Sequence, residues 1–190
     1  MTRKTILITG ASRGIGRAAA LLAGRRGWSV GVNYVRDEES AQKTVREIQR
    51  SGGGAVALHG DVAFEGDVIE MFEGAVRALG PLDGCVVNAG VVAPGARLAD
   101  MSVERMRRVF DINILGAYLC AREAARRLAK SRGGAGGSIV LISSAAAPIA
   151  PGASGRPRRS GVRAQRTKSA RRSSGCSATP PPTSAARSSM

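Results

Sequence analysis

Three short stretches and one isolated asparagine have residue types and spacings suited to chemistry. The first stretch is TGASRGIG, with Gly10, Gly14 and Gly16 in the order G-x-x-x-G-x-G. Gly10 permits a tight turn out of a strand, Gly14 offers no side chain to block an approaching phosphate, and Gly16 lets a helix pack closely. The helix opened by this loop presents free N–H groups and a positive dipole end, so the loop suits the pyrophosphate of a dinucleotide. Ser12, Arg13 and Ile15 lie between the glycines and are read with the loop. The second stretch is Asn88, Ala89 and Gly90, where an apolar run ends and a glycine lets the backbone pass close to a ligand. The third is Ile142, Ser143 and Ser144, two hydroxyls at the end of another apolar run. Asn113, in FDINILGAY, is unfavourable inside an otherwise good helix former, which points to a task beyond filling the helix.

The elements that must position these residues follow from hydrophobic patterning. Strands are expected at Thr5–Thr9, Trp28–Tyr34, Ala55–His59, Asp83–Val87 and Ser138–Ile142. Helices are expected at Gly14–Arg26, Glu38–Ser51 and Glu65–Leu79, and one long helical stretch is expected before about Lys130. Strands separated by helices of this length require crossovers and a parallel sheet covered on both faces. The strands are near-continuous apolar runs, as doubly covered sheets demand. The fold class is α/β: a doubly wound parallel sheet of the Rossmann type, incomplete at about five strands.

In such a sheet the end of the second strand selects the cofactor. A carboxylate there would hold the adenosine ribose and repel a 2′-phosphate. This chain has Asn33 and Tyr34 at that point, Arg36 just beyond, and no acid before Asp37. With Arg13 in the glycine loop, Arg36 forms a pair of cations able to reach a 2′-phosphate. The expected cofactor is NADP(H) rather than NAD(H). His59, the single histidine, has no partner motif and is read as structural or surface-exposed.

Together, TGASRGIG, the Asn88–Ala89–Gly90 triplet and the Ile142–Ser143–Ser144 triplet resemble the classical short-chain dehydrogenase/reductase family, from residue 4 to about residue 150. The members most resembled are ketoacyl-carrier-protein reductases and sugar dehydrogenases. The resemblance implies hydride transfer between a nicotinamide cofactor and a small carbonyl or alcohol substrate. It implies that Asp61 and Val62 contact the adenine, that Asn113 holds a water in the proton relay, and that Ser144 binds the substrate oxygen, with Ser143 second to it. The family also uses a proton-donating tyrosine and a lysine four residues later, one helix turn along. Those positions hold Pro157 or Arg158 and Gly161 or Val162, and the only tyrosines are Tyr34 and Tyr118. The expected catalytic set is therefore Ser144 and Asn113, with tyrosine and lysine absent and activity in doubt.

Composition divides the chain in the same place. The whole carries a net charge of +15, yet all fourteen acidic residues lie before Pro151. From Pro151 onward there are nine basic residues, no acid, and no Leu, Ile, Phe, Trp or Tyr. Such a segment cannot offset its ordering entropy by burial. The division expected is 1–150, a cofactor-binding domain, and 151–190, a disordered basic tail. The tail has the composition of GC-rich coding DNA read out of frame, so a frameshift between codons 148 and 155 of a reductase gene is the expected origin. With it would go the family's substrate pocket and homo-oligomer interface.

Two other classes stay open: a non-catalytic dinucleotide-binding protein, and a nucleic-acid binder acting through the tail. The tail lacks aromatic residues for base stacking, so no specific nucleic-acid partner is expected. No apolar run reaches membrane-span length, and Cys85 and Cys120 lie in apolar stretches as buried thiols of a reducing compartment would. The expected location is cytoplasmic.

Overall fold

The computed structural model describes residues 3–143. Five strands form one parallel sheet: β1 (Thr5–Ile8), β2 (Ser29–Tyr34), β3 (Gly54–His59), β4 (Gly84–Val87) and β5 (Ser138–Leu141). Their order is β3-β2-β1-β4-β5, so the chain reverses its direction of travel across the sheet after β3. That reversal opens a crevice beyond the carboxyl ends of β1 and β4, where ligands of open α/β sheets bind. Register brings the ends of the two strands level, with Ile8 opposite Val86.

Helices cover both faces. On one side α1 (Gly14–Arg25) and α2 (Glu38–Arg50) bury Ala20, Ala41, Val45 and Ile48 against Ile8, Val30 and Val32. On the other, α3 (Glu65–Leu79) brings Val68, Met71, Phe72 and Ala75 to a cluster with Leu7, Cys85 and Val87. These apolar side chains supply most of the folding free energy, at roughly 1.5–3 kcal/mol per large residue fully buried. The α2 helix is begun by Asp37, whose Oδ1 accepts the Ser40 amide at 2.9 Å, with Glu38 and Glu39 in the first turn. The α1 helix has neither device: no side chain caps it and no acid lies in its first turn.

The long helical stretch expected before Lys130 is divided. Residues 88–97 run irregularly, because Pro94 and Gly95 break any helix, and a single 3-10 turn follows at Leu98–Asp100. Ser102 then caps α4 (Val103–Phe110) by accepting the Arg105 amide. A π-helical turn at Asp111–Gly116 leads into α5 (Ala117–Leu128). The π turn widens the helix to i→i+5 bonds and shifts the phase of the side chains after it, a slip too short for apolar periodicity to locate.

Among the described residues β5 pairs with β4 alone, leaving its other edge free. Val140, Leu141 and Ile142 are 40–56% exposed there. No helix among the described residues is long and apolar enough to cross a membrane.

Candidate functional site

The glycine loop is shaped by groups behind it. Gly10 has φ +63°, and its amide donates to Asn33 Oδ1 at 3.0 Å. The Asn33 Nδ2 donates to Gly60 O at 2.9 Å and Leu58 O at 3.2 Å, and the residue is fully buried. Asn33 therefore lies beneath the loop, not on the cleft wall where the strand-end reading expected a cofactor contact. Its side chain points inward because alternate residues of a strand face opposite sides of the sheet. Gly16 is also buried: a Cβ there would stand 2.5 Å from both Gly10 O and Asn88 Nδ2. Gly14 differs in kind, with φ +56° and open space where a Cβ would be.

Asn88 links the loop to β4. Its Nδ2 donates to Thr9 O at 2.9 Å and Gly10 O at 3.1 Å. Thr9, wholly buried, accepts the backbone amides of Asn88 and Ala89 at its Oγ1, both at 2.9 Å. Thr9 was not singled out by spacing. The signal available was a hydroxyl residue closing an apolar strand immediately before the first glycine.

A cleft of about 580 Å³ opens in front of these groups. It is lined by Gly10, Ser12, Arg13, Gly14 and Ile15 of the glycine loop, by Tyr34 and Arg36 after β2, and by Asp61, Val62, Asn88, Ala89 and Gly90. Val35, Asp37, Val91, Arg108 and Ile112 also line it, and none of these five was picked out as a site residue from the sequence. Both carboxylates in the cleft are engaged by backbone. Asp61 Oδ1 accepts the Ala63 amide at 3.0 Å, and Asp37 caps α2. Its hydrogen bonds with Ser40, helped by the charge of nearby Arg13, hold the Asp37 carboxyl below the usual range. Among the described residues Arg13, Arg36 and Arg108 form no ion pair. Tyr34 meets His59 edge to face at 5.5 Å, and partial burial with the neighbouring Glu38 charge raises its phenol.

A second cleft, of about 660 Å³, shares Ile15 and residues 88–91 with the first. It adds Asn113, Tyr118 and Ser143. Asn113 Oδ1 accepts the Val91 amide at 2.8 Å, and its Nδ2 donates to Val91 O at 2.8 Å. Both ends of the amide are thus used to pin the segment after β4 to the π turn. Gly116, at the end of the π turn, lets the helix approach Val62: a Cβ there would lie 2.8 Å from Val62 Cγ2. Ser144 lies outside the described residues, as do Pro157, Arg158, Gly161 and Val162.

A family model described as short chain dehydrogenase matches residues 4–155. The chain belongs to the short-chain dehydrogenase family. Its parallel sheet is that of the family: a short-chain type dehydrogenase/reductase from Mycobacterium marinum superposes with a TM-score of 0.69 at 37% identity, over 74% of this chain and 56% of that one. The uncharacterized oxidoreductase YgfF of Escherichia coli (strain K12) is 41% identical over 143 residues, 75% of this chain and 58% of that protein. The L-rhamnose 1-dehydrogenase (NAD(P)(+)) of Sphingomonas sp. (strain SKA58) is 41% identical over 146 residues, covering 77% and 56%. The chain spans a little over half the length of these short-chain dehydrogenase relatives.

Proposed function

We propose that residues 1–150 form a cofactor-binding domain that takes NADP(H) in preference to NAD(H), with residues 151–190 lying outside that domain. The observation that carries this reading is the pair Arg13 and Arg36 lining one cleft, neither in an ion pair among the described residues. A guanidinium matches a phosphate in charge and in geometry, and a free one loses no partner on binding.

The residues present fit a dinucleotide. The uncapped start of α1, the left-handed Gly14 with open space before it, and a cleft continuing from Arg36 to Asn113 each suit one part of it. Gly10, Ser12, Gly14 and Ile15 would hold the pyrophosphate, Asp61 and Val62 the adenine, and Asn88, Ala89 and Gly90 the nicotinamide side. When bound, the nicotinamide supplies a hydride donor or acceptor for a carbonyl or alcohol. This chain's part is to bind and orient. Asn33 and Thr9 hold the loop from behind, Asn113 pins Val91, and Gly90 keeps the backbone low: a Cβ there would lie 3.3 Å from Asn113 Oδ1.

Proton delivery is where this chain departs from the pattern that the family resemblance implies. Ser144 and Asn113 stand without the tyrosine and lysine at 157 or 158 and 161 or 162. The second reading, a dinucleotide-binding protein without turnover, rests on that sequence fact. Purified protein titrated with NADPH and NADH, followed by cofactor fluorescence and melting temperature, tests binding. NADPH is expected to bind at least tenfold more tightly, and Arg13→Ala or Arg36→Ala to reduce that ratio by about tenfold. Equal affinities would refute the NADP(H) preference. Oxidation of NADPH with a panel of ketones tests turnover, and none above background is expected.

A further inference from the structure

Arg108 lines the first cleft together with Arg13 and Arg36, and no motif accounts for it. It belongs to α4, four residues before Ile112 of the π turn that follows. Ile112 and Val62 share the buried cluster, and Gly116 meets Val62 directly. Arg108, Ile112 and Val62 line the same cleft, and Arg108 is exposed where the other two are buried.

The lining has two characters. The start of α1 and the end of β2 offer free N–H groups and two arginines, the requirements of phosphates. Val62, Val91 and Ile112 are apolar, and the Asp61 carboxylate among them is tied to Ala63. An apolar slot rimmed by a planar cation suits a flat, electron-rich ring and poorly suits a phosphate. The Arg108 stem can lie along the apolar rim while its guanidinium covers the ring face.

The geometry points to Arg108 as the residue that closes the adenine site, stacking its guanidinium on the base of a bound dinucleotide. This rests on the dinucleotide reading above and adds a contact from α4 that neither the glycine loop nor the strand-end arginines provide. The 2′-phosphate takes no part in it. Arg108 therefore raises affinity for NADPH and NADH alike, where Arg13 and Arg36 separate them.

The test is direct titration of the full chain and of Arg108→Ala and Arg108→Lys with NADPH, NADH and ADP-ribose, alongside melting curves of each protein alone. Arg108→Ala is expected to weaken all three ligands by a similar factor of about fivefold, with the unliganded melting temperature unchanged. Arg108→Lys keeps the charge and loses the plane, so it should resemble the alanine variant. Full rescue by lysine, a loss confined to NADPH, or no loss at all would each overturn the assignment to adenine. Wild-type protein that binds none of the three ligands would instead refute the dinucleotide reading and this inference with it.

Discussion

The Gly10 amide donates to Asn33 Oδ1 at 3.0 Å, and the same asparagine donates from Nδ2 to Gly60 O at 2.9 Å. One buried side chain thus ties the loop after β1 to the ends of β2 and β3. Replacing Asn33 with alanine leaves the Gly10 amide and the Gly60 carbonyl without this partner in a site closed to water. The expected cost is about 2–4 kcal/mol. Asn33→Asp keeps the acceptor but sets a carboxylate against carbonyl oxygens, so it should fare no better. Urea unfolding of the three proteins checks this, and a stable Asn33→Ala protein would show that the loop is held in some other way.

Gly14 and Gly16 separate a conformational role from a packing role. Gly16→Ala puts a methyl group 2.5 Å from Gly10 O, so the helix must move away from the strand. Stability should fall by about 1–3 kcal/mol, with loss of cofactor binding as a consequence. Gly14→Ala has room but takes a left-handed backbone, costing about 1 kcal/mol. Its methyl group would meet the ligand instead, so binding should fall further than stability does. Paired melting curves and NADPH titrations distinguish the two patterns.

The clamp between Asn113 and Val91 gives a local test. Asn113→Ala removes two 2.8 Å hydrogen bonds at an exposed position and should cost about 1 kcal/mol. Asn113→Asp retains the acceptor for the Val91 amide and loses the donor to its carbonyl. Amide hydrogen exchange at Val91 should accelerate strongly in the alanine variant and less in the aspartate variant. Unchanged exchange in both would mean that the segment after β4 is held by other contacts.

Cys85 and Cys120 are free thiols in the core beneath the second cleft's helix, and burial raises both pKa values, that of Cys120 to about 12. Thiolate, the reactive form, is therefore scarce at both sites near neutrality. In a Cys176→Ser protein no thiol should react with a small alkylating reagent at pH 8 until denaturant is added, when two should. The sign is that of a raised pKa: reactivity appears only as pH climbs toward the folded value or as unfolding returns the thiols to about 8.5. Prompt alkylation of the native variant would show that the core opens.

The Asp37 carboxylate caps α2 in its charged form, and its pKa is lowered chiefly by the hydrogen bonds from Ser40. A lowered folded-state pKa stabilises above the unfolded value near 3.9, and that stability is lost as pH falls through the folded value. Asp37→Ala should therefore melt below wild type at pH 7, and the gap should close in strong acid. Asp37→Asn, also a good cap, should restore most of the stability at pH 7.

Much of the fold was written locally. The apolar runs of β1 to β4 and the amphipathic spacing of α1 to α3 reflect burial on a doubly covered sheet, whereas the equally apolar β5 is largely exposed; the bounds of all of them fall within a residue or so of those expected. Gly10, Arg13, Gly14, Arg36, Asp61, Asn88 and Gly90 all line the first cleft, because strand ends and the loops after them meet at one edge of a parallel sheet. The absence of a tyrosine and lysine at 157 or 158 and 161 or 162 is likewise a fact of sequence alone. Other features needed distant parts of the chain to meet. Asn33 was expected on the cleft wall, and only the contact of β2 with Gly10 and Gly60 assigns it to the interior. Asn113 was legible as an anomaly in a helix, but its engagement with Val91, 22 positions away, from within a π turn was not. Thr9 and Gly116 carry no pattern of their own, since their importance comes from neighbours 79 and 54 positions away at Asn88 and Val62, brought near by the sheet. Residue type and local spacing determine which elements form and which edge of the sheet gathers the site. Which side chain faces the ligand and which supports it from behind is decided by long-range packing, because that choice depends on what fills the space on the other side.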